Sequence, residues 1–191
     1  MVKTLLFFSG FAILSLEILG SRILGSNVGT TIPVWAALIG VTLTASALGY
    51  YAGGRLADHV QKREVFLWLT AGASMFIILI PTFRNIMDIV ALNLSYGVGA
   101  LIGSMFLFFV PIVCLSALTT YTIRLFVKDL DTMAQVHGDL YALATFGSVL
   151  GVFGTSYILV PLFNIATILY GLGATLLLFG ILAAQSKTNA N

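Results

Sequence analysis

Charge is the scarcest thing in this sequence. Nine Lys and Arg and seven Asp and Glu make up 8% of 191 residues, against 59% in the hydrophobic set. A soluble domain carries about a quarter charged residues, so this chain lacks the means to face water all round. Disorder is excluded by the same arithmetic, because the chain is apolar and its net charge is only +2. The basic residues are scattered, with no dense patch to displace counterions from a polyanion, so no nucleic-acid partner is expected. One cysteine, Cys114, rules out an internal disulfide framework and a cysteine-cluster metal site. Two histidines, His59 and His137, leave little for a metal centre. No Ser-His-Asp set, carboxylate pair or phosphate loop is present, so neither an enzyme nor a cofactor is expected.

Apolar length is what the sequence has, with a mean hydropathy of +1.06. A helix needs about 20 apolar residues to cross a hydrocarbon core of about 30 Å. Six runs qualify, near 4–24, 31–53, 65–83, 97–125, 139–160 and 165–184, followed by a short polar tail at 186–191. The expected fold is an all-α integral membrane protein, a single six-helix domain over residues 1–185. Pro33, Pro81 and Pro161 punctuate the ends of runs, while Pro111 lies inside the fourth. Between 82 and 96, Arg84, Asn85, Asp88 and Asn93 alternate with apolar residues, which reads as a short amphipathic piece at the interface. Asp139 reads as the N-cap or first-turn acid of the fifth helix, and His137 as a loop residue beside it. The first run is longer than a signal-peptide core and carries Glu17, so it is expected to stay as a span.

Orientation follows from the basic residues. With the N-terminus inside, Lys3, Arg55, Lys62, Arg63, Arg124, Lys128 and Lys187 fall on the cytoplasmic face, leaving Arg22 and Arg84 outside. That bias predicts both termini in the cytoplasm. The expected location is a prokaryotic inner membrane.

Nineteen glycines fall mostly within the spans. Lipid tails are as apolar as side chains, so helices in a bilayer are held by close approach through small residues. Gly49 and Gly53 stand at i, i+4 in the second run, Gly147 and Gly151 in the fifth, Gly99 and Gly103 in the fourth. Static packing is the plainer reading of these pairs. The second and fifth runs are also the middle helices of two three-helix halves, which suits a 3+3 inverted repeat. Glu17 is the carboxylate that falls inside a span, and such groups face a bundle interior or a wet cavity. It reads either as a proton- or cation-binding group or as half of a packing pair with Arg22, five residues on. Thr119, Thr120, Tyr121 and Thr122 would line a cavity or bond back to their own helix, the latter being favoured.

The stretch 53–63 reads GGRLADHVQKR and lies where the second span ends and the third begins. Asp58 can there accept from N–H groups opening the next helix, or pair with Arg55, Lys62 or Arg63. The stretch resembles the signature turn between the second and third helices of the major facilitator superfamily, matching at Gly54, Leu56, Ala57, Asp58, Lys62 and Arg63. Gln61 stands where that family often has glycine. The resemblance implies that Gly54, Arg55, Asp58, Lys62 and Arg63 form a conformational latch. Residues 8–24, FSGFAILSLEILGSRIL, and 138–151, GDLYALATFGSVLG, join this turn in resembling, in order, the membrane domain fused to some prokaryotic spermidine synthases. Ala144 replaces the usual asparagine there. The resemblance stops near Ala184, so it reaches the membrane domain and implies no polyamine synthesis. It implies half of a facilitator-type transporter, pairing with a copy of itself as a homodimer or with a second membrane subunit; the intramembrane Glu17, with Arg22 as partner, is then the candidate solute or ion site. Glu17 mildly favours a cationic solute. The alternative is a non-transporting anchor or assembly subunit of a larger membrane complex.

Overall fold

The computed structural model describes residues 1–29, 31–92, 94, 96–127 and 132–185, without the side chains of 26–28, 85–92 and 96. The described chain is all helix: α1 (Val2–Val28), α2 (Ile32–His59), α3 (Glu64–Leu92), α4 (Tyr96–Phe126), α5 (Met133–Leu162) and α6 (Ile165–Gln185). All six are long and apolar enough to cross a membrane. Asn93, Lys128, Lys187 and the tail lie outside the described residues.

Local chemistry sets several boundaries. Gly29, at φ 75°, turns the chain between α1 and α2, a conformation that costs a residue without Cβ little. Thr31 is extended, and Pro33 sits in the first turn of α2, where its missing N–H has no partner to lose. Asn164 opens α6 by accepting the Thr167 N–H at 2.8 Å. Within α5 the ladder widens over Thr155–Leu159, where the Val160 N–H reaches the Thr155 carbonyl. This π-helical turn ends two residues before Pro161, which cannot donate to the ordinary ladder.

Three sequence expectations fail on the same point: a polar residue or proline does not end a helix in lipid when neighbours satisfy the backbone. α3 runs unbroken through Pro81 to Leu92, so the segment from 82 continues this helix and is not a separate piece, although the stretch long and apolar enough to cross ends at Arg84. α2 continues through the charged residues to His59, which shortens the turn to Val60–Arg63. α5 begins at Met133, so Asp139 is a residue of its second turn and not a cap. His137 is likewise helical, stacked on Tyr141 with ring centroids 6.0 Å apart.

The helices pack chiefly as α2 with α4, α1 with α5, and α3 with α6, and α4 also packs on α3 and α1. Glycine makes each main seam close. A Cβ at Gly53 would fall on the Ala117 carbonyl oxygen, and one at Gly49 within 2.5 Å of the Val113 oxygen. On the other side, Gly147 and Gly151 lie against the Phe7 and Phe11 carbonyls of α1, and Gly10 against that of Ala144. In the third seam Gly173 meets Ile78 and Gly180 meets Thr70. Residue numbers rise together along the first two seams and oppositely along the third, as alternating spans require. A second cluster, built on Leu5, Ala57, Phe66, Leu118, Tyr121 and Ala183, closes the end of the bundle where α1 begins. α5 is the least covered span; its buried residues form one stripe, Leu140, Ala144, Gly147, Gly151 and Thr155.

Candidate functional site

Two places concentrate polar groups. The first is the α2–α3 turn. Asp58 accepts from the Arg124 Nε at 3.0 Å, across to the end of α4. Arg124 lies 66 residues away in the chain, so spacing within the turn could not have picked it. Arg55 stands over the Tyr51 ring, 4.4 Å from its centroid. Lys62 serves through its backbone: the buried Tyr121 hydroxyl donates to the Lys62 and Val60 carbonyls at 2.7 and 2.9 Å, one proton shared between them. Phe66 meets the Tyr121 ring edge-on at 5.4 Å. Gly54 is spacious, its missing Cβ 3.6 Å from Thr120 Cγ2. Arg63 closes the turn, its N-terminal neighbours giving way to the first bonds of α3.

These two ties differ in worth. The Asp58–Arg124 pair is open to water on both partners, at 63% and 49% exposure, and such pairs contribute roughly 0–1 kcal/mol. The Tyr121 bonds are partly buried beneath a packed ring, and although the Lys62 carbonyl keeps the Val65 N–H, losing a shielded bond of this kind costs about 0.5–1.5 kcal/mol. Tyr121→Phe should therefore lower the melting temperature more than Arg124→Ala, and only the Arg124→Ala effect should shrink in high salt. Thermal unfolding in detergent at two ionic strengths checks both.

The second place is a groove of about 340 Å³ between α1, α2, α4 and α5. Gly10, Ile13 and Leu14 form its floor; Tyr50, Thr119, Tyr141, Thr145 and Ser148 supply its polar wall. The Tyr50 phenol faces Ser116 and Tyr141, and Ser116 donates to Ser46 at 3.2 Å behind it. Tyr50, Tyr141 and Thr145 are exposed, so the groove opens on the side of the bundle. Glu17 follows Leu14 and Ile13 by three and four residues, which puts it on the same face of α1, about 5 Å farther along the helix. It is half-buried.

Arg22 is not brought to it. The two make no ion pair among the described residues, and Arg22 is exposed. Five residues turn an α-helix through about 500°, leaving the two side chains about 140° apart. The sequence reading of a Glu17–Arg22 pair is corrected accordingly.

Four features escaped sequence reading. Tyr121 ties the turn, whereas its neighbours Thr119 and Thr122 bond back to Leu115 and Leu118. Tyr50 and Tyr141 share the groove although their helices are far apart in sequence. A buried pair, Thr155 donating to Ser15 at 2.8 Å, joins the π turn of α5 to α1; Pro161 was the one local signal for it. Finally, α2 turns Ala36, Gly40, Thr44 and Ala47 outward, and α5 turns Ala134, Gly138, Ala142 and Thr145 outward. Each α5 residue follows its α2 counterpart by one constant interval, the interval that also relates Gly49 and Gly53 to Gly147 and Gly151. A Cβ at Gly40 or Gly138 would meet nothing within 4 Å beyond its own helix backbone. No cluster of metal-ligating residues occurs among the described residues.

No protein-family profile, curated protein or solved structure matches this chain.

Proposed function

We propose that the chain is a half-size, facilitator-like transporter of a small solute, working as a homodimer in a prokaryotic inner membrane with both termini cytoplasmic. The observation that carries this reading is the hydroxyl-walled groove opening sideways from a span-length bundle. Its threonine and serine protons are taken up by carbonyls of the bundle, but against lipid their remaining lone pairs and the two phenols would find few partners, and polar surface at that depth is tolerated where it lines a wet cavity or meets protein. A second copy placed over α2 and α5 would turn the open groove into an enclosed one.

The helix pairing supports a 3+3 inverted repeat. Exchanging α1 with α4, α2 with α5 and α3 with α6 carries the α1–α5 contact onto α4–α2 and the α3–α4 contact onto α6–α1. It returns α3–α6 and α1–α4 to themselves, and all of these contacts are made. The same exchange carries Gly49 and Gly53 on α4 onto Gly147 and Gly151 on α1. Orientation is supported by Lys3, Arg55, Lys62, Arg63 and Arg124 gathering at one end, the end assigned to the cytoplasm. There the Asp58–Arg124 pair and the Tyr121 bonds would act as the latch, tying the turn within its own half.

Glu17 is assigned the ion- or solute-binding role, without Arg22. Glu17→Gln should reduce uptake into proteoliposomes at least tenfold while leaving yield and melting temperature within error. Unchanged uptake would remove Glu17 from the mechanism. Native mass spectrometry of gently extracted protein separates this reading from the anchor alternative: a homodimer supports transport, and a stoichiometric complex with other subunits supports the anchor.

A further inference from the structure

We propose that the groove selects a small organic ammonium ion carrying an aromatic or aliphatic body, and discriminates against neutral and anionic compounds of the same shape. The inference rests on the transport reading for its consequence, although the binding it describes stands apart from transport. It follows from where the hydroxyl protons go. Thr145 donates to the Tyr141 carbonyl at 2.9 Å, Thr119 to that of Leu115 at 3.3 Å, and Ser148 to those of Gly10 and Ala144 at 3.1 and 3.2 Å. With those protons turned into the helices, the three oxygens offer the groove lone pairs. The wall is therefore rich in acceptors, its remaining donors among the lining residues being the two phenols.

An ammonium group has donors and no acceptor, which is the complement of such a wall. A carboxylate has only acceptors and would find two phenols and no basic residue among the lining side chains. The Tyr50 and Tyr141 rings add faces on which a cation is attracted. Ile13, Leu14, Val149 and Val152 give the body of the solute an apolar seat. Glu17, one turn beyond on the same face of α1, supplies a carboxylate with no basic partner of its own among the described residues. The volume, about 340 Å³, is at the lower end of the range for small-ligand sites, so it fits a compact amine and not an extended chain.

The test uses the wild-type protein in lipid nanodiscs and three isosteric probes: 2-phenylethylammonium, 2-phenylethanol and phenylacetate. Equilibrium dialysis should give saturable binding of the ammonium ion at least tenfold tighter than of the alcohol, with none of phenylacetate. Equal or tighter binding of the alcohol or the anion overturns the proposal, as does the absence of saturable binding of all three. Glu17→Gln should weaken ammonium binding at least tenfold. Thr145→Val, at an exposed position where loss of the hydroxyl leaves packing intact, should weaken it several-fold. Uptake assays separate the two readings. Ammonium binding without uptake of any probe would sink the transport reading and leave the site. Uptake of phenylacetate in preference to the ammonium ion would do the reverse.

Discussion

Replacing Gly53 with alanine should drop the melting temperature of the bundle by an amount of the order of 10 °C, while the same change at the adjacent Gly54 should leave it level or slightly raised. A Cβ at position 53 would coincide with the Ala117 carbonyl oxygen and lie 2.7 Å from the Ala117 Cα. Both are backbone atoms, and no rotamer change can move them. Relief requires α2 and α4 to part along their whole seam, and overpacking of this kind costs ~3 kcal/mol. At position 54 the Cβ meets a methyl at 3.6 Å, ordinary contact, and alanine gains up to about 1 kcal/mol of helix propensity over glycine. The corresponding contrast on α5 sets Gly147→Ala, against the Phe7 carbonyl, beside Gly138→Ala, which meets nothing within 4 Å. Thermal unfolding followed by size-exclusion chromatography in detergent checks all four variants. Equal effects at Gly53 and Gly54 would mean that the α2–α4 seam is looser than its geometry.

That contrast marks where sequence stops speaking. Six spans are legible because a span is a property of composition over about 20 residues, and every run chosen on that ground contains a helix long enough to cross. The i, i+4 glycine pairs were legible as seams, since spacing alone places both on one face. Which helix they meet was not: Gly49 finds α4 and Gly147 finds α1 through contacts made across the chain. Gly40 and Gly49 look alike in sequence, yet one faces outward and the other touches backbone. Asp58 was legible as a charged turn residue, but Arg124 was hidden by distance in the chain. Glu17 was legible by its rarity. The hydroxyl groove was not, because its members come from three helices, one each from α2 and α4 and three from α5, and each reads as a serine, threonine or tyrosine at home in a span.

Gly40 and Gly138 carry the second large effect, this time on assembly and not on folding. Each sits in an outward ridge of small residues, Ala36–Gly40–Thr44–Ala47 on α2 and Ala134–Gly138–Ala142–Thr145 on α5. Small residues at every third or fourth position let another helix backbone come close, where packing and weak hydrogen bonds can act over the whole length. The proposed two-fold dimer would set the α5 ridge of one copy against the α2 ridge of the other, twice, with the two grooves between them. A Cβ at Gly40 or Gly138 meets nothing within 4 Å beyond its own helix backbone, and both glycines are exposed, so the leucine variants should fold and melt as before. In the proposed dimer each substitution would enter the two-fold interface twice, so the leucine variants should shift native mass spectra from dimer to monomer by at least tenfold. Uptake should fall with the dimer, because a groove open to lipid cannot hold a solute between two halves. The ordering is the sharp part: Gly40→Leu should abolish dimer and uptake with no change in melting, and Gly53→Ala should lower melting first. Dimers that survive leucine at both Gly40 and Gly138 would place the interface on another face and leave the groove without its second wall.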